Sequence, residues 1–456
     1  MAMKSINPVN GTVIKSYKED TQKQVLQKIE KAASAWEKWR KTSFSKRAQL
    51  LRRTASVLRK EKQKLAELMA LEMGKPLKEG IGEIEKCAFV CEYYADNGEA
   101  FLRDELIKTD AATSYVSYQP LGVVLAIMPW NFPFWQCFRF LAPGLMAGNC
   151  GLLKHASNVP GCALAIEEVL LKAGFPVGVF QTLMVGSRAV EKIIENNAVK
   201  AVTLTGSTQA GKKVAQKAGE CLKKTVLELG GSDPYIVLED ADLARAAEVC
   251  ANSRLINNGQ SCIAAKRFIV VQKVGKQFTQ LLKEKMAEKI TGDPLKEGVH
   301  LGPMARADLR DELHQQVQQS IRQGATCILG GEVPQHQGKH AYYVPTILTG
   351  VKKGMLAYSE EMFGPVASVI TAKNKTEAIE IANDTVFGLG AAVFTKNLKE
   401  GERIAREELQ AGACFVNSFV KSDPRLPFGG IKESGYGREL SEHGIKEFVN
   451  IKTVVV

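Results

Sequence analysis

The sequence predicts an α/β protein with parallel sheets covered by helices, and three observations predict it. From Leu121 onward, short β-branched runs alternate with helical stretches, the rhythm of strands joined by helical crossovers. A second unit of the same texture begins near Gly230. The first hundred residues carry helical periodicity alone. With 456 residues the chain can fill two or three domains and is too long for a single core.

In the helical part, Asp20 and Thr21 can cap a helix running through Val25, Ile29, Ala33 and Trp36. A second helix spans about residues 45–73 and is broken by Gly74, Lys75 and Pro76. A third covers about 81–96, and residues 113–119 alternate as a strand or hairpin arm. The strand–helix pairs that follow are 121–128 with 135–147, 151–153 with 161–173, 179–183 with 189–196, and 201–204 with 209–218. The second unit reads as strand 235–238, helix 243–256, strand 268–271, helices 275–290 and about 308–323, and strands 367–371 and 390–393. Residues 448–456 form a β-branched, nearly uncharged strand that must be covered by the same or another subunit.

The formal charge of +12, from 61 basic and 49 acidic residues, is spread along the chain. No arginine-rich block, zinc-finger spacing or aromatic RNA-binding signature accompanies it, which argues against a nucleic-acid partner. The start has no basic region leading into an apolar run. Apolar residues 121–129 and 132–150 are separated by Trp130 and Asn131, and the second run carries Gln136 and Arg139, so they predict a buried strand and helix rather than a membrane span. Ten cysteines without close pairing suit neither a disulfide scaffold nor a metal site, and predict a reduced, cytoplasmic setting.

Several residues could carry chemistry. Cys262 lies in a loop sequence, Asn-Asn-Gly-Gln-Ser-Cys, that could present a thiol into a cleft; a buried structural cysteine would read the same way. Glu228, flanked by leucines before two glycines, is either a desolvated general base or half of a salt bridge. Residues 205–211, Thr-Gly-Ser-Thr-Gln-Ala-Gly, follow a strand and open a helix, which makes an anion site or simply a cap. Lys154, just past residues 151–153, could reach a ribose or phosphate or face solvent. Asn131 could aim its amide at an oxyanion. Arg139, inside an apolar helix, faces solvent or receives a carboxylate.

Seven segments in order resemble the aldehyde dehydrogenase superfamily: PWNFP at 129–133, LLK at 152–154, TGS at 205–207, LELGG at 227–231, GQSC at 259–262, EEMFGPV at 360–366 and PFGGIKESGYGRE at 427–439. The sequence is most similar to the short bacterial succinate-semialdehyde dehydrogenases, through Trp135 and Arg139 after PWNFP and the run KSDPRLPFGG at 421–430. The resemblance implies a modified Rossmann cofactor domain (1–108 and 121–229, with 425–439 returning to it), a catalytic domain (230–424), and a β-flap (109–120 and 440–456) that joins a homodimer or homotetramer. It implies Cys262 as nucleophile, Glu228 as general base, and Asn131 with the Cys262 backbone N–H as oxyanion hole. It places Trp130, Lys154, Ser157, Gly206, Ser207, Glu361 and Phe363 around NAD or NADP, requires no metal, and makes Arg139 the grip on a distal carboxylate.

Two departures bear on specificity. Ser157 stands where many NAD-preferring members carry a glutamate, so a 2′-phosphate meets no repulsion and NADP is favoured. A second arginine expected before the GQxC motif is replaced by Leu255, Ile256 and Asn257. Ser261 and Ser418 are candidates for supporting hydrogen bonds. The substrate expected is succinate semialdehyde, since a buried Arg139 needs an anion. The alternatives are a broad dehydrogenase of small aliphatic or aromatic aldehydes, a CoA-acylating member, and a structural protein on the same fold.

Overall fold

Thr21 opens the first helix with a reciprocal cap: its hydroxyl accepts the Gln24 N–H, and the Gln24 side chain accepts the Thr21 N–H. In this computed structural model, which describes residues 2–334 and 341–456, that helix, α1 (Gln22–Trp39), follows an N-terminal hairpin of β1 (Ala2–Ile6) and β2 (Val13–Lys18). The sequence reading missed the hairpin because Lys and Ser dilute any apolar alternation. α2 (Phe44–Met73) stops at Gly74, whose φ of 76° is left-handed and whose Cβ would lie 2.6 Å from the Pro303 carbonyl. α3 (Leu77–Phe101) is longer than the expected 81–96, since Pro76 sits at its N-cap and Gly80 and Gly82 only mask its periodicity. β3 (Glu105–Leu106) and β4 (Ser114–Pro120) follow.

The expected alternation then appears: β5 (Val123–Met128), α4 (Trp135–Ala147), β6 (Cys150–His155), α5 (Pro160–Ala173), β7 (Phe180–Thr182), α6 (Val190–Glu195), β8 (Val199–Thr205), α7 (Thr208–Glu220) and β9 (Lys224–Glu228). Their strands form a parallel sheet in the order β9-β8-β5-β6-β7. Every residue of α4 is buried, Arg139 included, so this helix is packed on all sides.

The second unit contains β10 (Pro234–Val237), α8 (Leu243–Leu255), β11 (Arg267–Val271), α9 (Gln272–Ala287), α10 (Ala307–Arg322), β12 (Thr326–Leu329), β13 (Thr346–Thr349), β14 (Val366–Ala372), β15 (Gly390–Phe394) and β16 (Ala413–Val416). The sheet order is β12-β13-β14-β11-β10-β15-β16, antiparallel only at β12. β17 (Gly435–Tyr436) then returns to the first sheet and pairs antiparallel with β9.

The terminal strand β18 (Val449–Val455) pairs with β4 along its whole length, from Val449 opposite Pro120 to Val455 opposite Ser114. One edge of it is therefore covered by its own chain, while the other bounds the three-stranded sheet β18-β4-β3. No described helix is long and apolar enough to cross a membrane.

The parallel strands of the first sheet point their carboxyl ends the same way. β5 leads into Pro129, Trp130 and Asn131, β6 carries Lys154, β8 leads into Gly206 and Ser207, and β9 ends on Glu228. Lys154 is inside its strand, not beyond it as the sequence suggested. Ligands of such sheets bind at this end.

Candidate active site

Cys262 follows a loop held by its two asparagines. Asn257 and Asn258 adopt φ of 52° and 57°, a left-handed conformation that asparagine tolerates better than most residues. Asn258 Nδ2 donates to the carbonyls of Gly74 and Pro303 at 2.9 and 2.8 Å, and its Oδ1 accepts the Gly302 N–H. Gly259 has φ of 75°, and a Cβ there would lie 2.3 Å from the Gly364 backbone. The loop is thereby fixed against three other segments, and the half-buried thiol is placed rather than mobile.

Lys266 anchors the same turn from below. Its fully buried ammonium donates to the Ser261 and Cys262 carbonyls at 2.9 and 2.8 Å and pairs with Glu361 at 3.2 Å. Sequence reasoning missed it; the available signal was a lysine four residues past the cysteine at the mouth of an apolar strand.

Two cavities meet at Cys262. The first, about 320 Å³, is lined among others by Trp130, Asn131, Gly206, Ser207, Gly230, Glu361 and Phe363. The second, about 300 Å³, is lined by Lys86, Trp135, Arg139, Ser261, Ser422 and Phe428 with their neighbours. Both include Cys262 and Gln136. A molecule in either cavity therefore faces the thiol. Ser418, half-buried in the bend after β16, lines neither; Ser422 occupies the place expected of it.

In the first cavity, Trp130 and Phe363 meet edge to face with centroids 5.8 Å apart. Ser207 caps α7, its hydroxyl accepting the Ala210 N–H at 3.4 Å, and it also lines this cavity. Glu361 also accepts the Gly231 N–H at 3.2 Å. Asn131 is 4% exposed; its Nδ2 donates to the Gln260 carbonyl at 3.1 Å, and its own carbonyl accepts Asn257 Nδ2 at 2.7 Å. An amide nitrogen has two hydrogens, so one remains for a ligand oxygen.

A third cavity of about 830 Å³ contains Lys154 and Ser157 together with Asn158 and Ser187. Asn158 has both side-chain polar atoms buried without a partner. Burial lowers the Lys154 ammonium from its ordinary value. These orphaned groups, the N-terminus of α7 and the Glu361 carboxylate make a donor and acceptor set that fits a phosphorylated dinucleotide.

Glu228 is 2% exposed and lines neither cavity at the thiol. Its carboxylate oxygens have no hydrogen-bond partner, and a Cβ on Gly429 would lie 2.8 Å from Oε1. Burial first, and Glu439 second, push its pKa well up, with Arg139 and Arg438 opposing. Glu228 forms no salt bridge among the described residues. Burial likewise pushes the Cys262 thiol up to about 12, with Arg139 and Lys266 opposing.

Arg139 brings a correction. Its Nε pairs with Glu439 Oε2 at 2.7 Å, its Nη2 reaches Thr205 Oγ1 at 3.4 Å, and it stacks 4.6 Å from the Phe428 ring. A buried Arg139 does not require an anionic substrate, because Glu439 already supplies the counter-charge. No arginine enters from the loop before Gly259 either: Arg254 is fully buried and donates to the Gly259 carbonyl. The cation that sequence reasoning missed is Lys86 of α3, which donates to Ser422 Oγ at 2.8 Å and lies 4.2 Å from the Trp135 ring centre.

Residues 1–454 match the aldehyde dehydrogenase family. The chain belongs to that family. Its relatives include the succinate-semialdehyde dehydrogenase [NADP(+)] 1 of Mycobacterium tuberculosis (strain ATCC 25618 / H37Rv), 48% identical over 100% of this chain and 99% of that one. The succinate-semialdehyde dehydrogenase [NADP(+)] of Mycobacterium leprae (strain TN) is 47% identical over the same shares. The crystal structure of succinic semialdehyde dehydrogenase from Streptococcus pyogenes in complex with NADP+ superposes with a TM-score of 0.97 at 38% identity, covering both chains completely. The chain thus has the α/β aldehyde dehydrogenase fold, binds NAD(P), and belongs with the succinate-semialdehyde-dehydrogenase-like members. NAD(P)-dependent aldehyde oxidation through a cysteine is the activity of this aldehyde dehydrogenase.

Proposed function

We propose that this chain oxidises succinate semialdehyde to succinate, using NADP in preference to NAD, with Cys262 as nucleophile. The observation that carries the reading is the charge of the cavity beyond Cys262. Lys86 and Lys421 line it beside the Glu439-paired Arg139, and the one carboxylate among its described lining residues, Asp423, is paired with Arg425 at 2.7 Å. An aldehyde bearing a distal carboxylate fits such a wall better than a neutral one. The names of the mycobacterial and streptococcal relatives point the same way.

Cys262 gives up its thiol proton to water as its sulfur adds to the aldehyde carbon, and the free N–H of Asn131 donates to the oxyanion of the tetrahedral adduct. NAD(P), when bound, would supply the hydride acceptor. Lys154 and Ser157 would hold its adenosine end, Gly206 and Ser207 its pyrophosphate, and Glu361, Trp130 and Phe363 its nicotinamide half. Glu228, turned from its place against Gly429, takes the proton from the water that releases the acid from the Cys262 thioester. The neutral Ser157 adds no negative charge beside a 2′-phosphate. The free edge of β18, with Ile451 and Val455 exposed, would join a second subunit.

Product analysis tests this. Incubated with succinate semialdehyde and NADP without CoA, the enzyme should yield succinate and NADPH in equal amounts, and Cys262→Ala should yield neither. A requirement for CoA, or NADPH formed without succinate, would reject the reading.

A further inference from the structure

We infer that Lys86 selects the acidic aldehyde: its ammonium group and the Ser422 hydroxyl receive the distal carboxylate of the substrate. This rests on the proposed substrate and moves its charge recognition from an arginine clamp to a lysine of α3.

Arg139 does not supply a free positive charge to the cavity. Its charge is matched by Glu439, at 2.7 Å and with both side chains buried, so the pair brings little net charge to the cavity. Lys86 differs. Among the described residues it has no carboxylate within ion-pair distance, because its acidic neighbours are engaged elsewhere: Glu83 with Lys75, and Asp423 with Arg425. A half-buried ammonium without an ion-paired counter-charge is a favourable place for an anion.

Hydrogen-bond counting points to the same place. Ser422 Oγ accepts from Lys86 Nζ at 2.8 Å and from Trp135 Nε1 at 3.1 Å. Both lone pairs are then used, which leaves the hydroxyl hydrogen free for donation to another group. Lys86 spends one N–H on Ser422 and sits against the Trp135 face, which leaves it a further donor. An ammonium N–H and a hydroxyl hydrogen, adjacent in a cavity that opens onto Cys262, form a receptor for one carboxylate. Burial and the nearby Arg139 lower the Lys86 ammonium to about 8, so it is still charged at neutral pH.

The test compares kcat/KM for succinate semialdehyde and butanal in the wild type, Lys86→Met and Lys86→Arg. The acidic-to-neutral ratio should fall at least thirtyfold in Lys86→Met, through KM, and stay within fivefold of wild type in Lys86→Arg. Binding of succinate, followed by calorimetry, should weaken in parallel, and this readout requires only a folded protein. If Lys86→Met folds poorly, Lys86→Gln replaces it with the same expectation. A wild-type ratio near one would overturn the substrate reading and this inference with it. A high wild-type ratio that survives Lys86→Met, or a fall shared equally by both aldehydes, would overturn this inference alone.

Discussion

Arg139 Nε lies 2.7 Å from Glu439 Oε2, and both side chains are about 97–98% removed from solvent. The pair ties α4, which lines the second cavity, to the segment just after β17. Removing one partner of a buried ion pair leaves the other charge stranded, which costs about 3–5 kcal/mol. Arg139→Ala should therefore lower stability by about that amount in urea denaturation, besides any effect on substrate. Replacing both partners, Arg139→Met with Glu439→Leu, should cost less than the sum of the single changes. Additive losses would show that the pair is not coupled.

Glu228→Gln should separate the two halves of the reaction. Rapid mixing should show a burst of reduced cofactor equivalent to the active sites, followed by steady turnover at least about a hundredfold slower than wild type. Turnover at the wild-type rate would remove Glu228 from the hydrolytic step.

The same variant has a stability signature with a definite sign. The buried Glu228 carboxyl has a raised pKa, so the folded state holds a proton that the unfolded state releases above the ordinary carboxylate value of 4.5. Its contribution to stability is therefore lost progressively as pH rises from about there toward its folded pKa. Glu228→Gln should be no more stable than wild type near pH 4 and gain on it as pH increases. A difference independent of pH would contradict the raised pKa.

A pH profile addresses the cavity cation. Lys86 faces Arg139 on α4, Asp423 on the loop after β16, and Glu83 and Cys87 on its own helix. With the ammonium lowered to about 8, it is charged below that pH and neutral above. The KM for succinate semialdehyde should rise as pH passes about 8, and the KM for butanal should not. Parallel profiles for the two aldehydes would place the titration elsewhere.

Cofactor choice turns on one side chain. Ser157→Glu sets a carboxylate in the cavity of Lys154 and should lower kcat/KM for NADP relative to NAD by at least about a hundredfold, or about 2.7 kcal/mol. An unchanged ratio would mean that the 2′-phosphate is read by other residues.

The strand–helix alternation was legible because each strand of the first sheet is a short apolar run and each crossover has clear periodicity. α4 matches its expected limits of 135–147, and Thr21 caps α1 as its residue type suggests. The N-terminal hairpin was not legible, since Lys and Ser occupy its positions. In the site, PWNFP and GQSC marked the loops that meet at the thiol, but pairwise facts across the chain were hidden. Nothing local to Arg139 announces Glu439, 300 residues away. Lys86 looks like any lysine on an amphipathic helix until α3 packs against α4 and Ser422 comes to meet it. Glu228 could be read as desolvated, yet its position against Gly429 depends on a segment 200 residues later.

The most direct test is the ratio of kcat/KM for succinate semialdehyde over butanal and benzaldehyde, measured as NADPH formation by the wild-type enzyme. A ratio of a hundred or more, worth about 2.7 kcal/mol in the transition state, is the result expected of a cavity that receives a carboxylate. Neutral aldehydes turned over equally well would contradict it, and would leave Arg139 and Glu439 as a structural pair in a general aldehyde dehydrogenase.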